Sequence, residues 1–368
     1  MRRPRGLRLP LPAADLDLLR ERVVARAENR PGVYRMTGAH GEVLYVGKAK
    51  RLRDRLLCYF RARYPEDKAA RILRASHDIR WDYVASEFAA YLTELGEIRR
   101  WRPRFNLRLN RARRAVFITV SRGPVPRIAS GNLGRDDARR YGPFHSARRT
   151  AEAVRTLNDL LGLRDCPATM PMVFAEQRDL FDLPRRAGCL RHEFGSCTGP
   201  CAGLVAEREY WRRVETALAF LEGRTIQPID RVVRAMQDAA ERGEYERAAK
   251  WREKFEHLEW LFGAVSRART AVDLLSFVYR DPGARGEDRF YLIRRGVVKA
   301  TLPLPGSPAE RAAFAAAVAR EAARADPPPG PLPGDSLDEL LLIMAWFRAH
   351  PEALRRTTSY RDWLRQEA

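Results

Sequence analysis

The chain has 368 residues, enough for two or three domains with adequate cores. Its net charge of +21 favours a polyanionic partner such as nucleic acid, the alternative being a basic surface that only aids solubility. No apolar run reaches membrane-spanning length, and the basic N-terminus lacks the apolar segment of a secretory signal, so we expect a cytoplasmic protein without membrane contact.

The first structured segment is predicted to be a β-hairpin. Two short β-prone runs, Gly32–Met36 and Val43–Gly47, are separated by six residues that include two glycines suited to a turn. Antiparallel pairing of these runs places Tyr34 close to Tyr45. Two tyrosines that merely fill a half-buried sheet face are the alternative interpretation.

A basic run follows the hairpin. A phenol beside a cation can lose its proton or orient a water, whereas an unassisted tyrosine with a pKa of about 10 is a poor base at neutral pH. Residues 1–114 contain 28 Lys and Arg against 13 Asp and Glu, so most of the excess charge lies in this part of the chain. The residues predicted to bind DNA phosphates are Lys48, Lys50, Arg51, Arg53 and Arg55.

A helix is predicted from Glu87 to Trp101, with Ser86 as its N-cap, because apolar residues recur at helical spacing. Glu94 falls at the edge of the apolar stripe. A carboxylate there is costly unless a cation or hydrogen bonds satisfy it, and a hard ion such as Mg²⁺ is a suitable partner. A glutamate at the rim paired with an arginine is the alternative.

The stretch from Pro31 to Asn106 resembles the GIY-YIG nuclease domain of the UvrC family. The resemblance rests on Gly-Val-Tyr at 32–34, Tyr-Val-Gly at 45–47, Glu94 and Arg-Pro-Arg-Phe-Asn at 102–106. It implies a small antiparallel sheet flanked by helices and a single catalytic Mg²⁺ or Mn²⁺ held by Glu94. One departure is Ala89, where members of the family often carry a glutamate. The site residues that the resemblance implies are Tyr34, Tyr45, Lys48, Arg55, Tyr59, Glu94 and Asn106.

A β-rich linker is predicted after residue 106, followed by a helix from Ala147 to Leu161. Four of the five cysteines then fall in one window. In a cytoplasmic protein, clustered cysteines indicate a metal site before they indicate disulfides, although a metal-free cluster of buried residues remains open. The resemblance implies a [4Fe-4S] cluster, and four thiolates also suit Zn²⁺. The four residues are Cys166, Cys189, Cys197 and Cys201, while Cys58 stands alone and is predicted to pack.

Two amphipathic segments around a turn at 242–244 predict a helical hairpin. The string from Met236 to Arg252 resembles the UVR motif, which implies binding to a UvrB-like helicase subunit. A hairpin packed only within its own chain is the alternative. The residues predicted to contact the partner are Tyr245, Glu246, Ala249 and Arg252.

The remaining residues predict short strands between 273 and 304, a Pro-rich linker at 326–335 and an apolar helix from Leu337 to Ala349. No room is left for the second, RNase H-like nuclease of full-length UvrC, so the scope resembles that of the short homologue Cho. The predicted class is α+β. The expected divisions are an N-terminal extension at 1–28, the nuclease domain at 29–108, the β-rich linker and helix at 109–163, the Cys-rich region at 164–222, the UVR hairpin at 226–262 and a C-terminal region at 270–368.

We therefore expect a nucleotide excision repair endonuclease that acts on damaged double-stranded DNA and cuts on the 3′ side of the lesion. In this interpretation Tyr34 or Tyr45 activates the attacking water, and Arg55 stabilises the transition state. Two alternatives remain open. One is a free-standing GIY-YIG endonuclease independent of UvrB, and the other is a catalytically weak DNA-binding adaptor that recruits UvrB.

Overall fold

The part of the chain that the structure describes mixes helices with three antiparallel sheets, as the α+β prediction requires. The computed structural model describes residues 15–106, 115–131, 138–167, 169–177, 188–328, 330–332 and 336–367. Two compact units are present. The first joins residues up to 109 with 276–324 and the residues from 338 on, and the second contains 110–275 and 325–337. The C-terminal region therefore belongs to the same unit as the N-terminal sheet.

The N-terminal sheet has three strands in the order β2-β1-β3, which leaves β2 at an edge. The two predicted strands are confirmed, each slightly longer than expected. The elements of this part are α1 (Leu16–Arg26), β1 (Gly32–Thr37), β2 (Val43–Ala49), α2 (Leu52–Phe60), α3 (Lys68–Ala75), β3 (Asp78–Tyr83), α4 (Glu87–Trp101) and a 3₁₀ turn (Arg104–Asn106). The predicted bounds of α4 and its Ser86 cap are confirmed, since the Ser86 hydroxyl accepts the N–H of Ala89 at 2.9 Å.

Strand pairing separates the side chains of this sheet into two sets. Tyr34 lies opposite Gly47, and Val33 lies opposite Lys48. Directly opposed residues of an antiparallel pair project from the same face, so Tyr34 and Lys48 project from different faces. Helices α1, α2 and α3 contribute to the core on the Tyr34 face, while α4 covers the Val33 face.

The C-terminal sheet has four strands in the order β10-β7-β8-β9. Its predicted strands and the apolar helix at 337–349 are confirmed. A core of its own packs α10 and α12 on one side, with Phe314, Val318 and Trp363 at its centre. The elements are β7 (Phe277–Asp281), β8 (Arg289–Arg294), β9 (Val297–Pro303), α10 (Pro308–Ala323), α11 (Leu337–Ala349), a 3₁₀ helix (Pro351–Arg356), β10 (Thr357–Thr358) and α12 (Tyr360–Glu367).

The second unit packs a small sheet, in the order β5-β4-β6, together with helices around one apolar core. The predicted helix at 147–161 and the predicted helical hairpin are both confirmed. The elements are β4 (Val116–Val120), β5 (Ile128–Gly131), β6 (Arg139–Phe144), α5 (Ala147–Leu161), α6 (Leu190–Glu193), α7 (Glu207–Leu221), α8 (Gln227–Glu241) and α9 (Tyr245–Asp273). Across the described ranges, no helix combines the length and the apolar character needed to cross a membrane.

Candidate active site

Three tyrosines and an arginine meet on one face of the N-terminal sheet, and we call this group the phenol cluster: Tyr34, Tyr45, Tyr59 and Arg55. The hydroxyls of Tyr34 and Tyr59 are 2.8 Å apart, and Arg55 Nε donates to the Tyr34 hydroxyl at 3.4 Å. The Tyr45 ring centroid lies 6.1 Å from that of Tyr34 and 6.3 Å from that of Tyr59. The hairpin and α2 thus bring these four predicted site residues together.

Burial distinguishes the three phenols. Tyr34 is fully buried and Tyr59 is 3% exposed, whereas Tyr45 is half-buried. Burial is the largest cause that raises the pKa of Tyr34 and of Tyr59 above the usual phenol value, with further contributions from neighbouring tyrosines. The Tyr34 phenol in turn raises the pKa of the Arg55 guanidinium. Tyr34 and Tyr59 therefore remain protonated at neutral pH.

The glycines of the two triplets are required by close packing. A Cβ atom on Gly47 would lie 2.5 Å from Cζ and Oη of Tyr34, well inside contact distance. A Cβ atom on Gly32 would lie 2.8 Å from the carbonyl oxygen of Asp82 on β3 and 3.2 Å from Leu52 on α2. The missing side chain at 47 makes the space that the Tyr34 phenol occupies. Sequence reasoning identified these glycines by pattern and missed this reason for them.

Lys48 lies on the other face of the sheet, which α4 covers, and Glu94 lies on α4 itself. The Lys48 ammonium is 3.3 Å from the centroid of the ring of Tyr91, a residue of α4, and makes a cation–π contact with it. Glu94 is half-buried and follows Tyr91 by three residues, so the two lie on one side of the helix. Lys48, an implied site residue, therefore contacts Tyr91 on this face, while the tyrosines of the phenol cluster lie on the opposite face.

Asn106 holds the open edge of the sheet. Its side-chain carbonyl accepts the Val46 N–H at 2.7 Å, and its amide donates to the Val46 carbonyl at 2.8 Å. Val46 lies between Tyr45 and Gly47 on the edge strand, so Asn106 supplies the backbone partners that a further strand would supply. Asn106, which the resemblance implies to be a site residue, thus contacts the backbone of the edge strand.

The predicted DNA-binding run is partly engaged within the protein. Lys50 lies 4.0 Å from Glu87, Arg51 pairs with Asp54 at 2.7 Å, and Arg53 donates to the Ala27 carbonyl. Lys50 and Arg51 remain exposed at the surface. Exposed ion pairs are weak, so DNA phosphates can compete for these side chains.

Lys68 is a basic residue beside the phenol cluster that sequence reasoning missed. Its ammonium lies 5.7 Å from the centroid of the Tyr45 ring, on the phenol face of the sheet. The only available signal was a lysine in a chain with 62 arginines and six lysines.

The prediction that Cys58 packs in the interior is wrong, because Cys58 is exposed on α2. The buried side of this helix is formed by Leu52, Leu56 and Tyr59.

The four clustered cysteines lie in irregular segments around the short helix α6. Cys197 is buried, Cys166 and Cys201 are partly exposed, and Cys189 is exposed. Burial is the largest cause that raises the pKa values of Cys197 and Cys201. The nearby Cys189 and Cys166 raise these two pKa values further. Mutual influence of this kind puts all four thiols in one neighbourhood. Within the residues described, however, no three His, Cys, Asp or Glu side chains are grouped as ligands of one metal ion.

Arg191 organises this segment and was also missed. Its guanidinium contacts Asp159 at 2.6 Å and Asp165 at 2.9 Å, and it donates to the carbonyls of Leu163 and Ser196 at 3.0 Å. The arginine therefore ties the end of α5 to the loop that carries Cys197.

The helical hairpin presents its predicted partner residues to solvent. Tyr245 is 76% exposed at the start of α9, and Glu246, Ala249 and Arg252 are exposed on the same helix. An exposed tyrosine at a helix start has no role in the core of its own chain, so this surface is open to a partner.

Three family models match successive parts of the chain. The UvrC-like GIY-YIG domain matches residues 30–107, the middle domain of the UvrC/Cho excinuclease matches 115–220, and the UvrB/uvrC motif matches 227–259. Together these matches cover more than half of the chain. Their order along the chain is the order of the segments described above.

The chain is also similar to curated proteins. UvrABC system protein C of Desulforudis audaxviator is 36% identical over 332 residues, which is 87% of this chain and 51% of that protein. The protein of the same name from Acinetobacter baylyi is 32% identical over 265 residues, 71% of this chain and 42% of that protein. The chain spans about half the length of the curated relatives it matches.

Among solved structures, the chain is similar to the GIY-YIG N-terminal endonuclease domain of UvrC from Thermotoga maritima bound to its catalytic divalent cation, magnesium. The identity is 32%, the match covers 24% of this chain and 97% of that one, and the TM-score is 0.22. Three family models match in the expected order, and both of the curated relatives described above are UvrABC system protein C. The chain belongs to the UvrC family.

Proposed function

We propose that this protein is a metal-dependent DNA endonuclease of nucleotide excision repair that nicks the damaged strand on the 3′ side of a lesion. The observation that carries the proposal is the phenol cluster, in which Arg55 contacts the paired phenols of Tyr34 and Tyr59 within a UvrC-like GIY-YIG domain. A guanidinium beside ordered hydroxyls is an arrangement suited to binding a phosphodiester and stabilising the charge that develops on it.

Tyr45 is the base in this proposal. It is the least buried of the three phenols, so a water molecule can reach it, and the raised pKa values of Tyr34 and Tyr59 disfavour either of them as proton acceptor. The Lys68 ammonium, 5.7 Å from the centroid of the Tyr45 ring, adds positive charge beside the proposed base. Tyr34 and Tyr59 orient Arg55 toward the scissile phosphate.

Glu94 would hold the divalent ion, Mg²⁺ or Mn²⁺. One half-buried carboxylate suits Mg²⁺, which keeps several waters and takes its remaining ligands from substrate phosphate. When bound, the ion supplies charge stabilisation to the phosphate and the leaving oxygen. Lys48, held on Tyr91 beside Glu94, adds positive charge on that side, and Asn106 keeps the edge strand in place.

At the edge strand β2, the phenol cluster and the residues on the α4 side, Glu94 and Lys48, can act on the same phosphate. Tyr45 projects from one face of this strand and Lys48 from the other, and among the described strands only β1 pairs with β2. A phosphate that approaches this edge beside the Asn106 side chain can therefore meet both the phenol cluster and the α4 side. The exposed basic residues Lys50 and Arg51 hold the neighbouring phosphates without reading sequence.

The cysteine segment is proposed to bind a [4Fe-4S] cluster or Zn²⁺ through Cys166, Cys189, Cys197 and Cys201. The thiol donors and their shared neighbourhood support this proposal. The hairpin surface around Tyr245 is proposed to bind a UvrB-like helicase subunit, which delivers the nuclease to the lesion. Its exposed tyrosine and the match to the UvrB/uvrC motif support that partner.

A nicking assay tests the nuclease. A duplex with one lesion is incubated with Mg²⁺, with and without the helicase subunit, and the cuts are mapped for wild type, Glu94→Gln, Tyr45→Phe and a control, Glu97→Gln. Glu97 lies on the same helix and pairs with Arg35 at 3.6 Å. We expect Glu94→Gln and Tyr45→Phe each to lower the rate by about 100-fold or more, and the control to lower it only slightly.

The same assay separates the alternatives. Cuts that ignore both the lesion and the helicase subunit would favour a free-standing endonuclease. Binding to DNA and to the helicase without any nick, in wild type as in Glu94→Gln, would favour an adaptor. Nicking that survives Glu94→Gln contradicts the proposed metal ligand.

A further inference from the structure

Helix α4 is packed against the C-terminal sheet as well as against its own. Phe88, in the first turn of α4, is fully buried. Its ring meets Tyr279 of β7 and Tyr291 of β8 edge-on, at centroid distances of 5.2 and 4.9 Å, and it meets Trp346 of α11 at 5.2 Å. A single side chain of α4 is thus enclosed by three aromatic rings, and all three belong to residues that lie far from Phe88 in the sequence.

Polar contacts fix the same end of α4. Ser86, the N-cap, donates its hydroxyl to the carboxylate of Asp281 at the end of β7, while it accepts the Ala89 N–H. Tyr279 also donates to Asp281 at 3.3 Å. Asp281 is buried, and burial raises its pKa to about 6. A backbone bond of 2.7 Å, from the Ala284 N–H to the Ala85 carbonyl, completes the contact.

The contact continues toward the proposed site. Trp346 lies 5.7 Å from the Tyr91 ring, and Tyr91 carries the Lys48 ammonium on its ring. Glu94 follows Tyr91 by three residues on the same helix. A displacement of the first turn of α4 would therefore move the residue proposed to hold the metal and the surface on which Lys48 rests.

Charged pairs surround this contact but are peripheral to it. Arg30 pairs with Glu287 at 3.2 Å and Arg285 pairs with Glu28 at 2.7 Å. Exposed pairs of this kind contribute little, so the buried aromatic rings and the Asp281 bond dominate. Ala89 is buried in the same first turn, which leaves no solvated position there for the glutamate expected from the family resemblance.

We propose that the C-terminal region, residues 276–324 and 338–367, is a positioning element of the nuclease site. It holds the first turn of α4 and thereby sets the positions of Glu94 and Lys48. Phe88, Asp281 and Trp346 are positioning residues in this sense, since they act through α4 and not on the phosphate. The inference rests on the proposed nuclease function for its consequence in catalysis, while the restraint on α4 stands without it.

The experiment compares two tryptophans of the same region in the full-length chain. Trp346→Ala removes the ring that touches Phe88 and Tyr91, whereas Trp363→Ala removes a ring from the separate core formed with Phe290 and Phe314. Both variants replace a tryptophan of the C-terminal region with alanine, so they remove side chains of equal size. Trp346→Phe, which keeps a ring in place, is the rescue variant, and Phe88→Leu is a milder substitute if Trp346→Ala does not fold.

Two readouts are measured for every variant. Amide hydrogen exchange of α4 is expected to accelerate at least about 10-fold in Trp346→Ala, with β1 and β2 unchanged, and to stay near wild type in Trp363→Ala. In the nicking assay, Trp346→Ala is expected to lower kcat by about 10- to 100-fold, because small misplacements of catalytic groups are costly, with KM for DNA nearly unchanged. The Mg²⁺ concentration for half-maximal nicking is expected to rise, and Trp346→Phe to restore most of both losses.

The outcomes distinguish this inference from the proposed function. If wild type nicks and Trp346→Ala leaves α4 exchange, kcat and Mg²⁺ dependence unchanged, the positioning role is wrong and the nuclease proposal stands. Equal losses in Trp346→Ala and Trp363→Ala, with KM rising in both, would also overturn it, since that result indicates general destabilisation. If wild type does not nick, the nuclease proposal is wrong, and the exchange rates alone decide whether the C-terminal region restrains α4.

Discussion

The phenol cluster and the four-cysteine segment each bring together four side chains, but different structures hold them. The phenols come from two paired strands and a helix, and two of their hydroxyls are already 2.8 Å apart. The cysteines come from loops around a four-residue helix, and they are neighbours without forming a ligand set within the described residues. One group is assembled by packing alone, whereas we propose that the other is assembled by a metal.

Regular secondary structure can fix the directions of site side chains before any ligand binds, as the difference between these two groups shows. Strand pairing fixes the direction of Tyr34 and Tyr45, and burial beneath α2 restricts their rotamers. In the cysteine segment, Arg191 fixes the loop to α5, while burial raises the pKa values of Cys197 and Cys201. Binding of a metal to such thiols supplies free energy to the fold, as structural metal sites do.

The largest expected effect is loss of the proposed metal. Removing it with a chelator, or by Cys197→Ser, is expected to lower the stability of the second unit by several kcal/mol, because structural metals contribute on the order of 10 kcal/mol in small domains. Thermal unfolding and metal content of anaerobically purified protein measure this. Cys58→Ser is the control, since that thiol is exposed and stands apart from the other four in sequence. Wild type whose stability does not change when the metal is removed, or a Cys197→Ser variant as stable as Cys58→Ser, would contradict the metal site.

Metal uptake is expected to depend on pH. Burial and neighbouring cysteines raise the pKa values of Cys197 and Cys201, so both thiols carry protons at neutral pH that a metal must displace. Each displaced proton makes the affinity rise about tenfold per pH unit below the thiol pKa, so zinc affinity is expected to increase from pH 6 to pH 8. Competition titrations measure the slope. In Cys201→Ser the slope should fall by one proton, and an unchanged slope would exclude that residue as a ligand.

The packing of the phenol cluster is tested by Gly47→Ala. The new Cβ would lie 2.5 Å from the Tyr34 phenol, so we expect a loss of about 3 kcal/mol in the free energy of unfolding, at the upper end for overpacking. Urea unfolding measures it. Gly131→Ala, in strand β5, meets nothing within 4 Å and is the control. Equal stability of the two variants would show that the cluster is looser than its hydroxyl distance indicates.

The edge of the sheet is tested by Asn106→Ala. Two hydrogen bonds to the Val46 backbone disappear, and the expected loss is about 1 to 3 kcal/mol. Asn106→Asp keeps the acceptor for the Val46 N–H and removes the donor, which separates the two bonds. Urea unfolding gives the stabilities, and the nicking assay gives the rate. Full stability of Asn106→Ala with a large fall in rate would mean that Asn106 acts on the phosphate and not on the strand.

The smallest effect is expected for Gly96→Ala. Gly96 lies inside α4, is exposed, and a Cβ there meets nothing within 4 Å. Alanine should therefore stabilise the helix by about 0.5 to 1 kcal/mol, mainly by restricting the unfolded chain. Thermal unfolding checks the sign. Destabilisation, or a fall in nicking rate with higher stability, would indicate that α4 needs freedom at this position.

Much of the local structure was predictable because neighbouring residues encode it. Helical spacing of apolar residues and a serine cap gave α4 its bounds, and two β-prone runs around a turn gave the hairpin. The helical hairpin and the apolar helix at 337–349 also followed from patterns within a few turns. Cys58 was misassigned because the pattern around a single residue does not reveal which side of α2 is covered.

The sequence by itself determined which side chains are available to the site and which elements carry them. Only the tertiary structure decided that Gly47 leaves space for Tyr34, that Lys48 rests on Tyr91, that Asn106 bonds to Val46, and that Ser86 meets Asp281 across 195 positions of sequence. The physical reason is that helix and strand formation depends on residues close in sequence. Contacts between distant residues depend on how all the apolar faces are buried together, which no local pattern contains.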